Sequence, residues 1–414
     1  MNGTLKTIIS FSSGNLFSVI ISSISVILFA RWVEPEVLGD FRKFGILTSY
    51  LGVSKIIVDA AYRRGYVILL GNQDFEEANK VLATVRSYYY IVAIFGFLVF
   101  GTLATYAAIN EDWMSFQGWS LQIVLFIVLN LTNYSTPQYR SNHQFNKLNF
   151  INIATAIGGF IFLPFIYFFG FSGLVIRSVL QSFVNFGVNL FYIPSKSSFF
   201  SLKSKDLLKM TKISLPLDIP NSIESYIIKP SINLYILNKL GVSEFGIFVM
   251  AITFQSFIRT IPTSINQILN AKVSLKHKEF NSIKRSFNFI LRPTLISSVS
   301  GVGILLIFLL MINYVLTNYL IKYEDSLQVI NIRGFEIIFV MLSAPFVIIN
   351  NNLMYKERWI MTFLKLIITI SIIFFYPLSL KSVSFAYLIG IVVHTILGYF
   401  FIYRKIFYEK NNSF

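Results

Sequence analysis

Long apolar segments, separated by short polar stretches, occupy most of the chain. A helix needs about 20 residues to cross the hydrocarbon layer of a bilayer, because it rises 1.5 Å per residue. Segments of this length lie at 8–30, 41–62, 82–108, 119–139, 149–170, 173–193, 213–237, 246–268, 287–312, 333–353, 359–377 and 383–403. The pattern predicts about twelve membrane-spanning helices, about six on either side of a basic stretch in mid-chain.

A short turn occurs twice, half a chain apart. Residues 35–41 read PEVLGDF, and residues 243–248 read SEFGIF. Aligned with a one-residue gap, they place Gly39 on Gly246, an offset of 207 positions (246 minus 39), which is half of the 414 residues. Duplicated halves with a site between them are common in membrane transporters.

The repeat and the helix count together predict three parts. They are an N-terminal six-helix bundle at 1–193, a basic cytoplasmic linker at 194–212 and a C-terminal six-helix bundle at 213–414. The expected fold class is an all-α polytopic membrane protein, with the two bundles around a central cavity.

Composition supports a membrane protein and excludes several other classes. The chain is 55% hydrophobic and 13% charged, whereas soluble domains carry about 25% charged residues. A net charge of +16 could indicate nucleic acid as a partner. Because basic residues of membrane proteins collect in cytoplasmic loops, we expect no nucleic-acid partner. Because the chain has no Cys and three scattered His, we expect no disulfide and no metal site.

The basic residues also predict orientation. With the N-terminus in the cytoplasm, about 21 Lys and Arg lie on the cytoplasmic side and about 5, including Arg333, on the other. We therefore expect a multi-pass membrane protein with both termini cytoplasmic. The linker intersperses lysines with Phe and Leu, which favours a segment lying on the inner leaflet, with membrane lipids as its partners. The alternative is a docking site for a partner enzyme.

Charged and polar side chains inside the apolar segments are the candidate functional residues. An ionised side chain near mid-bilayer costs about 2.5–3.5 kcal/mol on insertion scales, so it usually faces a protein interior or a wet cavity. The candidate substrate contacts are Arg42, Lys55, Arg63, Lys229, Gln255 and Arg259. The candidates for a coupling ion or a charge pair are Asp59, Asp218 and Glu224. Lys365 is expected to reach the headgroups from near a helix end.

Structural alternatives accompany these candidates. Lys55 and Asp59 are four residues apart, so on one α-helical face they can form an ion pair rather than line a cavity. Glu224 can pair with Lys229 on the next turn, and Arg259 can pair with Glu224 or Asp218. Helix one carries no charge over most of its length but is rich in Ser, including Ser18 and Ser22, which favours a helix that lines a cavity.

Several short motifs resemble those of a known family. Residues 30–42 read ARWVEPEVLGDFR, residues 51–53 read LGV, Pro216 opens helix seven, and residues 240–248 read LGVSEFGIF. In order and spacing they resemble bacterial O-antigen and related polysaccharide flippases, of the multidrug/oligosaccharidyl-lipid/polysaccharide exporter superfamily. The resemblance implies two six-helix bundles around a V-shaped cavity, with alternating access. It implies an undecaprenyl-pyrophosphate-linked oligosaccharide as the substrate, moved from the cytoplasmic to the periplasmic leaflet of a bacterial inner membrane.

One departure from that pattern concerns cations. Some related lipid flippases carry several arginines in helix one, and this sequence has none within that helix. The cations for an anionic headgroup must then come from helices two and eight.

The sequence thus predicts a flippase for lipid-linked oligosaccharide and not an enzyme. An ion-coupled small-molecule or drug antiporter of the same superfamily is the alternative, and an integral-membrane polysaccharide polymerase is a second. No cofactor is expected, although H+ or Na+ is a candidate coupling ion. Other polysaccharide-assembly proteins are further candidate partners. No phosphate-binding glycine loop, HExxH or GxSxG motif occurs.

Overall fold

The chain folds into helices connected by short turns. The computed structural model describes residues 2–59, 61–142, 144–192, 204–275, 282–352 and 354–411, and no strand occurs within these ranges. Large apolar side chains cover the outside, and Phe191 and Phe375 are 83% and 87% exposed. The predicted all-α polytopic membrane fold is confirmed.

The described residues of the N-terminal half form eight α-helices. They are α1 (Asn2–Trp32), α2 (Pro35–Leu51), α3 (Val67–Gly71), α4 (Phe75–Ile109), α5 (Trp113–Asn133), α6 (Ser135–Ser141), α7 (Phe145–Ile161) and α8 (Pro164–Tyr192). Between α2 and α3 the chain forms a 3-10 helix at Gly52–Ile57 and a π-helix at Ala61–Tyr66. We use the word rod for a single helix or for consecutive helices that continue one another. These pieces form six successive rods, since α2 continues into α3 and α5 into α6.

The C-terminal half repeats this plan. Its helices are α9 (Ser204–Ser222), α10 (Lys229–Leu240), α11 (Val242–Leu275), α12 (Ile283–Tyr319), α13 (Ser326–Gly334), α14 (Glu336–Leu342), α15 (Val347–Asn351), α16 (Tyr355–Phe375) and α17 (Leu380–Asn411). A π-helix at Ile223–Ile228 joins α9 to α10, and a 3-10 turn at Ala344–Phe346 lies between α14 and α15. This half also has six rods.

Not every rod meets the length and hydropathy expected of a span. Eight helices in the described ranges do, and two bent helix pairs raise the number to ten. The other two predicted spans correspond to α7, which has 17 residues, and to the rod from α9 to α10. Prolines inside this second rod, Pro216 and Pro220, remove backbone donors and favour a bend.

The predicted boundary between linker and second bundle is wrong in one respect. Residues 194–203 lie outside the described ranges, but α9 already begins at Ser204, inside the predicted linker. Met210 is buried among Val58, Tyr62 and Leu82 of the first half. The second part of the linker is thus the start of helix seven, anchored by apolar packing, rather than a separate segment on the lipid surface.

The predicted repeat is visible in how the halves meet. A Cβ on Gly246 would overlap the carbonyl oxygen of Pro35, and a Cβ on Gly39 would overlap that of Val242. The two contacts are equivalent, because 246 minus 39 and 242 minus 35 both equal 207. Glycine permits this approach of the two helix backbones, α2 and α11. The halves are therefore related by an approximate two-fold arrangement at this contact.

Polar contacts add to this junction at the end of the molecule where α2 and α11 begin. Lys322 donates to Glu34 at 2.9 Å, and the Tyr323 hydroxyl donates to the Val33 carbonyl at 3.1 Å. Beneath them lies one apolar cluster drawn from both halves, which includes Phe29 and Phe245. The two halves are closed against each other at this end.

Candidate functional site

A cavity of about 490 Å³ lies between the halves, next to the glycine junction. The first half contributes α2, with Arg42 and Ser49, and the second contributes residues of α10, α11, α13 and α17. Four of its lining residues are basic and none is acidic: Arg42, Lys229, Arg259 and Arg333. The wall therefore presents positive charge to whatever enters.

Two of these cations have no counter-charge. Arg42 on α2 and Arg259 on α11 are both exposed to the cavity. Neither side chain makes an ion pair within the described part of the chain. Arg42 has one aromatic neighbour, Phe41, whose ring centre is 5.8 Å from the guanidinium carbon. Unpaired guanidiniums with free donors can bind a phosphate or carboxylate through two parallel hydrogen bonds.

The third cation, Arg333, is held in place by a buried network. Its Nε donates to Glu336 Oε1 at 2.8 Å and its Nη2 to Glu336 Oε2 at 3.2 Å. Gln255 donates to Glu336 Oε2 at 3.0 Å and to the Arg333 carbonyl at 2.9 Å. The guanidinium lies 4.5 Å from the centre of the Tyr387 ring. Arg333 thus shapes the wall, with most of its charge neutralised locally.

The fourth cation, Lys229, shares a carboxylate. Its ammonium is 3.1 Å from Glu224 Oε1, and the ammonium of Lys365 on α16 is 2.6 Å from that same oxygen. Glu224 is buried in the π-helical segment, with only 8% of the residue exposed. This cluster of two ammoniums and one carboxylate carries a net positive charge.

A second cavity, of about 340 Å³, lies between α1, α7, α8 and α11. Its lining has no charged residue, and amides and hydroxyls dominate it: Asn15, Ser18, Ser22, Asn152, Gln181 and Asn185. Asn152 donates to Asn15 at 2.8 Å, and Asn15 in turn donates to Ser264 of α11 at 2.7 Å. The polar face of helix one therefore lines a cavity, as its serines predict.

The two cavities are neighbours. Ser256 on α11 lines both of them. A cationic cavity thus lies beside an uncharged cavity rich in hydrogen-bonding groups, with Ser256 in the wall of each. Such a pair can hold a molecule that carries phosphate at one end and hydroxyl groups at the other.

The structure brings together four of the six predicted substrate contacts, namely Arg42, Lys229, Gln255 and Arg259. Their role in binding stays a prediction. Lys55 and Arg63 do not line this cavity. The side chain of Asp218 lies outside the described residues.

The predicted pairing of Lys55 with Asp59 is wrong. Asp59 pairs instead with Arg63 and accepts a hydrogen bond from the Tyr89 hydroxyl. The reason is geometric: Lys55 lies in the 3-10 helix at Gly52–Ile57, which ends before Asp59. The four-residue spacing of an α-helical face does not apply across such a break. The predicted pairing of Glu224 with Lys229 does form.

Sequence reasoning missed three members of the site. Arg333 was expected in an outer loop, but its rod already begins at Ser326, so it lies inside a helix and is 7% exposed. Lys365 was expected to reach the headgroups, but it turns inward to Glu224. Tyr387 gave no signal, because a Tyr in an apolar segment is common in a core.

No protein-family model matches the chain, and no curated protein matches it. Several solved structures have the same fold. An outward-facing multidrug resistance MATE family transporter of the MOP superfamily is 16% identical, with a TM-score of 0.70, over 99% of this chain and 97% of that one. An inward-facing one is 16% identical, with a TM-score of 0.65, over 96% of each chain. A MATE in complex with Br-NRF is 16% identical, with a TM-score of 0.64, over 98% of this chain and 97% of that one.

These likenesses bear on the fold and not on the substrate. At 16% identity over nearly the full length of both chains, they establish the two-bundle architecture. Two of these solved structures are multidrug resistance transporters, which is the class of the small-molecule alternative and not that of the flippase. The finer resemblance to O-antigen flippases stays a prediction.

Proposed function

We propose that this protein is a flippase for a lipid-linked oligosaccharide. The substrate would be an O-antigen repeat unit or a related surface polysaccharide unit on undecaprenyl pyrophosphate. The observation that carries the proposal is the pair of adjacent cavities, one lined by basic residues without an acidic one and the other by uncharged amides and hydroxyls. A pyrophosphate and a glycan need these two environments side by side.

The charge of the larger cavity supports an anionic headgroup. Arg42 belongs to the first half and Arg259 to the second, so a pyrophosphate between them would contact both. Charge-assisted hydrogen bonds from two guanidiniums would replace the water that the headgroup loses on leaving the surface. The sugars would hydrogen-bond with residues such as Asn152 and Gln181 in the neighbouring cavity. The lipid tail would stay in the bilayer.

Movement would follow from the junction between the halves. The contact of Gly39 and Gly246 closes one end of the cavity, and with the predicted orientation this end faces the periplasm. Release on that side requires the α2 and α11 backbones to separate. Because both helices are long and packed, the two halves would rock as rigid bodies around the cavity.

A small-molecule antiporter is the second candidate, and the likeness to multidrug resistance transporters of known structure favours it. A cationic drug would need a carboxylate in the binding wall. The larger cavity exposes none among the described residues, since Glu224 and Glu336 are both neutralised by basic partners. An anionic or neutral small molecule would meet no such obstacle.

Deletion of the gene tests the proposal. We expect lipid-linked repeat units to accumulate on the inner leaflet and surface polysaccharide to be lost, with recovery by the wild-type gene and not by a gene encoding Arg259→Gln. The same deletion strain is tested for sensitivity to ethidium and norfloxacin. Unchanged surface polysaccharide together with increased drug sensitivity would contradict the flippase and support the antiporter.

A further inference from the structure

The carboxylate of Glu224 is bonded to two ammoniums through one oxygen. Lys365 lies 2.6 Å and Lys229 lies 3.1 Å from Glu224 Oε1. One carboxylate needs only one ammonium for neutrality, so this buried site holds a cation in excess. The excess cation must serve something other than the neutralisation of Glu224.

The two lysines differ in their surroundings. The Lys365 side chain is 12% exposed, whereas that of Lys229 is 37% exposed. Lys229 lines the cationic cavity and Lys365 does not. Lys229 is therefore the ammonium that an entering anion can reach, and Lys365 is the one that stays behind.

We propose that Lys229 stays bonded to Glu224 while the cavity is empty and leaves Glu224 to bind an anion that enters. Lys365 permits this release by remaining bonded to the Glu224 carboxylate. The inference rests on the proposed function, because it assumes an anionic headgroup in this cavity. It assigns Lys365, which does not touch the cavity, as a positioning residue.

The energetics favour release only while Lys365 is present. Removal of one partner from a buried ion pair is strongly unfavourable, because it leaves a charge without compensation. With Lys365 in place, the departure of Lys229 leaves a neutral Glu224–Lys365 pair. Without Lys365, the same departure would leave the Glu224 carboxylate alone in a buried site, so Lys229 would stay.

The test measures binding of farnesyl pyrophosphate to the purified full-length protein in detergent by isothermal titration calorimetry. We expect Lys365→Met to weaken binding about tenfold, because Lys229 is then retained by Glu224. We expect Glu224→Gln to strengthen binding by a similar factor, because Lys229 is then free. Thermal unfolding of each variant in the same detergent shows that it is folded.

Charge alone would produce shifts of these signs, so a second background is needed. In protein carrying Lys229→Gln, the release mechanism has no lysine to act on. We expect Lys365→Met and Glu224→Gln to change affinity there by less than about twofold, because effects that act through a shared partner are not additive. Simple long-range attraction predicts the same tenfold shifts in both backgrounds.

The outcomes separate the inference from the proposed function. Equal shifts with and without Lys229 would overturn the inference and leave the proposed function standing, provided that the wild-type protein binds farnesyl pyrophosphate. A wild-type protein that does not bind it would remove both. Shifts that disappear in the Lys229→Gln background would establish the release of Lys229.

Discussion

At the scale of single residues, the cavity wall contains two kinds of basic residue: free cations, which have no carboxylate partner, and held cations, which are bonded to one. Arg42 and Arg259 face the cavity without a carboxylate partner, whereas Arg333 is bonded through two nitrogens to Glu336. The free guanidiniums are available to a ligand, and the held one maintains the wall. Substitutions at the two kinds of residue should therefore have different consequences, for binding in one case and for stability in the other.

Substitution of Glu336 tests the held cation. Glu336→Gln leaves the 7% exposed Arg333 without a counter-charge, and breaking a buried pair in this way costs about 3–5 kcal/mol. We expect a clearly lower midpoint of thermal unfolding in detergent. The control is Glu76→Gln, which breaks an exposed pair with Lys80 on a helix surface. We expect no measurable change there, and equal midpoints for the two variants would contradict the structural role of Glu336.

At the scale of helices, the junction of α2 with α11 depends on close approach. Gly39 meets the backbone at Val242, and Gly246 meets the backbone at Pro35. An added methyl group at either glycine would overlap a carbonyl oxygen, which cannot move aside as a flexible side chain can. The helix pair is therefore sensitive to the smallest possible enlargement of either glycine.

Replacement of Gly246 by alanine should open this junction. Leu38 lies beside it and is 2% exposed, and the chain has no cysteine, so Leu38→Cys supplies a single thiol that reports on access. We expect Gly246→Ala to raise the rate at which a water-soluble maleimide labels this thiol several-fold. Gly101→Ala is the matched control, because a Cβ there meets no atom within 4 Å. Equal labelling rates in the two variants would show that the junction does not control access.

Sequence reasoning succeeded for helices that are regular and failed where they break. Depth within an apolar segment identified Gln255 and Arg259, because a polar residue far from a helix end cannot easily reach the membrane surface. Lys55 was misplaced, since nothing in its sequence announces the change from α to 3-10 geometry at Gly52. Lys365 was misplaced because periodicity does not specify which way its helix is rotated in the bundle.

At the scale of the whole molecule, duplication creates the site. Equivalent turns 207 positions apart bring α2 and α11 together, and the larger cavity lies where they diverge. Each half supplies one free guanidinium. The second cavity is asymmetric, because its amides come mainly from α1, α7 and α8 of the first half. The duplicated fold thus contains a cationic cavity between its halves and an uncharged, hydrogen-bonding cavity lined mainly by the first half.

The rate of flipping in reconstituted vesicles tests the central claim most directly. The claim is that the free cations of the larger cavity carry an anionic lipid headgroup across the bilayer. The substrate is a fluorescent oligosaccharide linked to a short prenyl pyrophosphate, and dithionite quenches the label that reaches the outer leaflet. We expect the wild-type protein and Arg292→Gln, an exposed arginine outside the cavity, to flip it at equal rates. The double variant Arg42→Gln/Arg259→Gln should flip it at least about a hundredfold more slowly, since each lost guanidinium contact removes a charge-assisted hydrogen bond. Equal flipping by the double variant and the wild type would contradict the account.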